Sequence, residues 1–151
     1  MYVPSYSDII VVKYDMGRPI VILLEHDGFS IDAIRRILAF GDYDCVEAHS
    51  ETEVLACYRS HSASVVALIS ELELPGCVGT DVAVKMAEVR PGLPILFVTA
   101  TPWEAWPVIE QQKLSGLPAG TVSFLDKPFR ASSLLAKLSE FLEKRSAGIG
   151  A

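Results

Sequence analysis

Five polar residues stand where apolar runs end, and their types suit cation and phosphate chemistry. Glu25 and His26 follow Ile-Val-Ile-Leu-Leu at 20–24, and Glu71 follows Val-Val-Ala-Leu-Ile-Ser at 65–70. Thr99 closes Pro-Ile-Leu-Phe-Val-Thr at 94–99, and Lys127 lies just past Val-Ser-Phe-Leu-Asp at 122–126. Carboxylates bind divalent cations, while an ammonium and a hydroxyl donate to phosphoryl oxygens. Such a set works only if segments far apart in the chain are brought to one place.

The elements that could do this are legible. Apolar runs of roughly four to eight residues, bounded by turn formers, read as buried strands. They fall at 20–24, 43–48, 65–69, 94–99 and 122–125. Between them lie helical patterns. Ser30 is a cap for a helix with Ile31, Ile34 and Leu38 on one face and Gly41 as its stop. Ser50 with Glu53 forms a capping box for a helix to about His61. Thr80 or Asp81 opens a helix carrying Val82, Met86 and Val89, ended by Pro91-Gly92. Residues 134–142 form an amphipathic last helix, with the Ala-Gly-rich end after Arg145 expected to fray. In 101–120, Pro102 and Pro107 exclude one regular helix through both, although Pro107 fits a first helical turn. Strands alternating with helices predict an α/β fold, a doubly wound five-stranded parallel sheet with right-handed crossovers. The carboxyl edge of such a sheet is where its sites form. We divide the chain into an extension, 1–18, either an added edge strand or a dimer contact, then one domain, 19–145, and a tail, 146–151.

Bulk properties narrow the classes. With 151 residues, half of them apolar, the chain can bury a sizeable core and is not disordered. A net charge of -6 weighs against nucleic acid as a partner. No apolar run reaches the roughly 18 residues of a membrane span, and no signal peptide is evident. Three cysteines provide no disulfide framework, which fits a reducing cytoplasm.

The chain resembles the receiver domain of two-component response regulators over about residues 19–144, a flavodoxin-like fold shared with the chemotaxis regulator. The resemblance rests on Leu-Leu-Glu-His-Asp at 23–27, Glu-Leu-Glu-Leu-Pro-Gly at 71–76, Val-Thr-Ala at 98–100 and Lys-Pro-Phe at 127–129. It implies a signalling module that accepts a phosphoryl group from a histidine kinase, not an enzyme in its own right. By that likeness Glu71 holds the phosphoacceptor position and Thr99 the switch hydroxyl, with the small Ala100 beside it. Phe124 matches the rotating aromatic and Lys127 the pocket lysine. The metal site, for Mg²⁺, would fall on Glu25, His26, Glu71 and the backbone carbonyl of Glu73. Trp103 and Trp106 would lie on the family's output and dimer face, as anchors for a downstream signalling protein or a second copy.

Three departures stand out: Glu rather than Asp at 71, an imidazole in place of the second acid, and about six extra residues between Thr99 and Lys127. Glutamate moves its oxygens outward by about 1.5 Å, and a misplacement near 1 Å costs on the order of 10²-fold in a transfer rate. Mg²⁺ prefers oxygen to imidazole nitrogen. The expectation is therefore a stand-alone, divergent receiver with weak or absent Mg²⁺ binding and phosphotransfer, in which Glu71 pairs with Lys127. Two other classes remain in view. A flavodoxin-like ligand or cofactor protein lacks its Gly-rich loop here, since Glu-His-Asp-Gly stands after the first strand. A metal-dependent phosphohydrolase would want Asp at 25. Cys45 with His49, and Cys57 with His61, invite zinc, but Cys45 and His49 fall on a strand and its end, where they are not neighbours as they would be on a helix. The cysteines also lack the close pairing of structural zinc sites, so all four are read as structural residues with buried thiols.

Overall fold

In a computed structural model, residues 17–150 are described, with side chains as far as Glu143; the readings for residues 1–16 fall outside this range. Strands Ile20–Leu24 (β1), Asp44–Ala48 (β2) and Val65–Ser70 (β3) alternate with helices Gly28–Phe40 (α1) and Glu51–His61 (α2). A small hairpin, Glu73–Leu74 (β4) and Cys77–Val78 (β5), leads into Gly79–Val89 (α3). Then come Ile95–Thr99 (β6), a 3₁₀ turn at Trp103–Ala105, Val108–Ser115 (α4), Val122–Asp126 (β7) and Ala131–Gly150 (α5).

The five long strands form one parallel sheet ordered β2-β1-β3-β6-β7. Strands β1 and β6 are buried at every position, because helices cover both faces of the sheet. On one face Ile22, Leu24 and Phe97 pack with Val54, Val82 and Met86; on the other Val21, Leu23 and Val98 pack with Ile34, Leu38, Leu134 and Leu138. The order reverses direction between β1 and β3, and the crevice opens there, at the carboxyl ends of these two strands. Among the described residues no helix is long and apolar enough to cross a membrane.

Helix starts differ instructively from expectation. Ser50 caps α2 as its box predicts, accepting from the Glu53 amide at 3.1 Å, while the Glu53 carboxylate reaches back to the His49 amide at 2.9 Å. Ser30, however, is not a cap. Asp27 caps α1, and its carboxylate accepts from both the amide (3.1 Å) and the hydroxyl (2.8 Å) of Ser30. The Ser30 hydroxyl, followed by its amide, holds the Asp27 carboxyl below the usual range. Helix α3 starts at Gly79 with no side-chain cap, because the N-cap residue is Val78, which has no acceptor. Thr80 and Asp81 fall inside the first turn, where the Thr80 hydroxyl donates to Glu110 (2.8 Å) and the Asp81 carboxylate pairs with Lys113 (2.9 Å). Pro107 stands at the N-cap of α4, one place before its first turn. Helix α5 runs on to Gly150, beyond the point at Arg145 where fraying was expected. In the β4–β5 hairpin Gly76 has φ of +70° behind Pro75, the pairing that a type II turn requires.

Candidate functional site

Register builds the site. Leu24 and Ser70 are partners across β1 and β3, so Glu25 and Glu71 leave the sheet side by side, and the Glu71 amide donates to the Leu24 carbonyl at 2.9 Å. Two strands away Thr99 pairs with Asp126, and the Lys127 amide donates to the Thr99 carbonyl at 2.9 Å. From there the Lys127 side chain reaches both acids. Its Nζ lies 2.8 Å from Glu25 Oε2 and 2.9 Å from Glu71 Oε2.

The remaining carboxylate oxygens are also engaged. Glu25 Oε1 accepts from the amides of His26 (3.0 Å) and Asp27 (3.1 Å), and Glu71 Oε1 accepts from the Leu72 amide at 2.7 Å. The Glu25 side chain is only 1% exposed, so a charge there needs this company. Burial works against the Lys127 ammonium, but hydrogen bonds to Glu25 and Glu71 outweigh it and raise its pKa above the ordinary lysine value. The pair of acids thus has its own built-in cation.

These residues do not fit a divalent metal as arranged. The ammonium occupies the space between the carboxylates that a cation would need. His26 is half-exposed, with Nδ1 3.6 Å from Glu25 Oε1, and Glu73 is exposed on β4. Among the described residues no group of three or more His, Cys, Asp or Glu side chains is placed to hold a metal. The Cys-His pairs form no such group either. Their cysteines are partly buried rather than fully buried, and burial pushes the Cys45 thiol up to about 11.

Thr99 is buried, and its Oγ1 accepts from the Thr101 amide at 3.2 Å. Ala100 is exposed beside Lys127, where both line an apolar groove of about 460 Å³ with Phe29, Ala33, Ile37 and Phe129. Phe124 stacks on Phe97 at 6.0 Å and lies 4.9 Å from Trp103 and 5.4 Å from Trp106.

Trp106 requires a correction. Expected as a partner anchor, it is 3% exposed and packs edge-on against Phe97 at 5.1 Å, with its indole N–H donating to the Thr101 carbonyl at 2.8 Å. Trp106 closes the 3₁₀ turn, its amide donating to the Trp103 carbonyl at 3.1 Å, and its ring packs inward. Trp103 is half-buried over Phe124, and its carbonyl accepts from Gln111 Nε2 at 2.8 Å. Much of the extra length after Thr99 is therefore an aromatic strap over Phe124. Trp106→Phe removes the indole donor and leaves a gap; denaturant unfolding should show a loss of about 1–2 kcal/mol with an unchanged m-value.

Two features at the site were not foreseen. Gly79 brings the start of α3 against the Glu71 carbonyl, with its amide donating to the Leu72 carbonyl at 2.7 Å. The buried Thr80–Glu110 hydrogen bond, continued by Lys113 to Glu110 (2.5 Å) and Asp81, ties α3 to α4 and had no local signal.

Comparison with known proteins decides the family. The model of the response regulator receiver domain matches residues 21–139. The chain belongs to the response regulator receiver family. Among curated relatives, the response regulator MprA of Mycobacterium avium (strain 104) is 27% identical over 124 residues, covering 82% of this chain and 51% of that protein. The chain thus spans about half the length of the curated relatives it matches. Solved structures show the same fold. A CheY-like receiver domain protein from Methanospirillum hungatei JF-1 superposes with a TM-score of 0.73 at 21% identity, covering 87% of this chain and 99% of that one. A receiver domain protein from Clostridium thermocellum gives 0.71 at 16%, covering 85% and 97%. Receiver domains are generally signalling modules that interact with histidine kinases or downstream effectors, and they typically bind Mg²⁺ at the phosphorylation site.

Proposed function

We propose that this receiver domain, within residues 19–145, signals in the cytoplasm through protein–protein contact, with Glu71 at the phosphoacceptor position and little or no Mg²⁺-dependent phosphotransfer. It is then a signalling module for a histidine kinase or a downstream protein and carries no catalysis of its own. The observation that carries this reading is the Lys127 ammonium shared by Glu25 and Glu71. Glu71 offers Lys127 a permanent negative charge where a phosphoryl group would offer a transient one. Phosphoryl transfer depends on positioning and electrostatics, and a metal entering here must displace an ammonium already bonded to both acids. Thr99, Ala100 and Phe124 take the switch positions in this reading, while Trp103 with the exposed Val108 and Ile109 contributes to the partner face.

The test is incubation with acetyl phosphate at rising Mg²⁺ concentration, followed by intact-mass measurement and peptide mapping. The expected result is no stoichiometric adduct and no saturable Mg²⁺ effect on tryptophan fluorescence. Stoichiometric, Mg²⁺-dependent modification at Glu71 would refute it.

A further inference from the structure

Helix α1 carries two phenylalanines that the fold leaves almost wholly in solvent: Phe29 is 90% exposed and Phe40 85%. Single exposed apolar side chains need no explanation, but two large rings on one stripe do. Eleven residues apart, they lie about 20° apart around the helix axis and roughly 16 Å apart along it. Exposed Ala33 and half-buried Ile37 continue the stripe on one side. Asp32 and Arg36, an exposed ion pair at 3.2 Å, flank it on the other. Ile34 and Leu38 face the core from the opposite side of the helix.

We propose that this stripe is a self-association surface on which α1 of a second copy packs antiparallel about a two-fold axis. The pattern is self-complementary. An axis midway between Phe29 and Phe40 lays Phe29 against the partner's Phe40. The same axis brings Asp32 within one residue, about 1.5 Å along the helix, of the partner's Arg36. Both charges fall on the same flank, because a two-fold perpendicular to the helices keeps each flank on its own side. Parallel pairing would instead set Arg36 against the partner's Arg36. The four rings contribute on the order of 150 Å² each, which is roughly a third of a standard interface of about 1,600 Å². Ala33, Ile37 and the rim of the groove at Phe129 extend the contact. The surface stands apart from the reading of Glu71 and does not depend on it.

Sedimentation equilibrium of the 151-residue chain over a concentration series tests this. The expected result is a monomer–dimer equilibrium that Phe29→Asp or Phe40→Asp weakens at least about 10-fold. Arg36→Asp weakens it as well, and the swap Asp32→Arg with Arg36→Asp restores it. Thermal melts of these variants should stay near wild type, since every changed side chain is exposed. A chain that remains monomeric to about 1 mM overturns the proposal. So does a dimer indifferent to both Phe→Asp changes, which leaves the stripe to a different protein, or a charge swap that restores nothing, which removes the antiparallel geometry.

Discussion

Gly79→Ala should lower stability by about 3 kcal/mol and the melting temperature by on the order of 10 °C. At the first position of a helix the same change ordinarily stabilises by about 0.4–1 kcal/mol, by restricting the unfolded chain. Here the sign reverses. An added Cβ collides with the Glu71 carbonyl oxygen and would sit 2.7 Å from Ser70 Oγ and 3.1 Å from the Phe97 ring. The backbone carbonyl is not free to swing aside, since it lies directly after β3 and the Ser70 hydroxyl already donates to it at 2.7 Å. The clash therefore transmits to Glu71 and its bond to Lys127. Thermal unfolding measures the cost. A variant as stable as wild type would mean that α3 can shift away from the sheet without penalty.

Lys127→Met is the second large effect. It leaves two carboxylates without their shared cation, one of them 1% exposed, and breaking a buried pair from one side costs about 3–5 kcal/mol. The double change Lys127→Met with Glu25→Gln should recover part of that loss, because the uncompensated charge is then gone as well. The pH dependence has a defined sign. Burial opposes the ammonium, yet hydrogen bonds to Glu25 and Glu71 raise the Lys127 pKa above 10.5 in the folded chain. A raised lysine contributes its full stability below the unfolded value and loses it as pH rises through the folded one. The gap between wild type and Lys127→Met should thus hold level from about pH 7 to pH 10 and narrow only above 10.5. Urea unfolding at several pH values checks both points. Equal single and double variants would show that Glu25 does not depend on Lys127.

These two residues also show how far the sequence could be read. Lys127 and Glu71 each follow a buried apolar run, and an α/β reading brings the ends of such runs to one edge, so their convergence was legible without coordinates. The collision that makes Gly79 irreplaceable was not, because it involves a backbone oxygen eight residues earlier, across a turn. Capping shows the same division. The Ser50–Glu53 box lies within one turn and is local. Asp27 and Ser30 are equally good caps by type, and the choice between them rests on where β1 ends. Thr80 and Asp81 read as caps because nothing local reveals that α3 starts before them, at Gly79. Trp106 lies between prolines in a segment without periodicity, so no pattern indicates which way its ring points.

What the sequence by itself determined is the layered sheet and the set of polar residues at its carboxyl edge, since both follow from short-range periodicity and from strand ends. Only the tertiary structure decided that one ammonium serves two carboxylates, that Trp106 seals the strap rather than facing a partner, and that two phenylalanines of α1 remain in solvent. The physical reason is range. Hydrophobic period and capping act within a few residues, whereas the partners of Glu25 and Lys127 are 102 residues apart and meet only once the strands have paired in register.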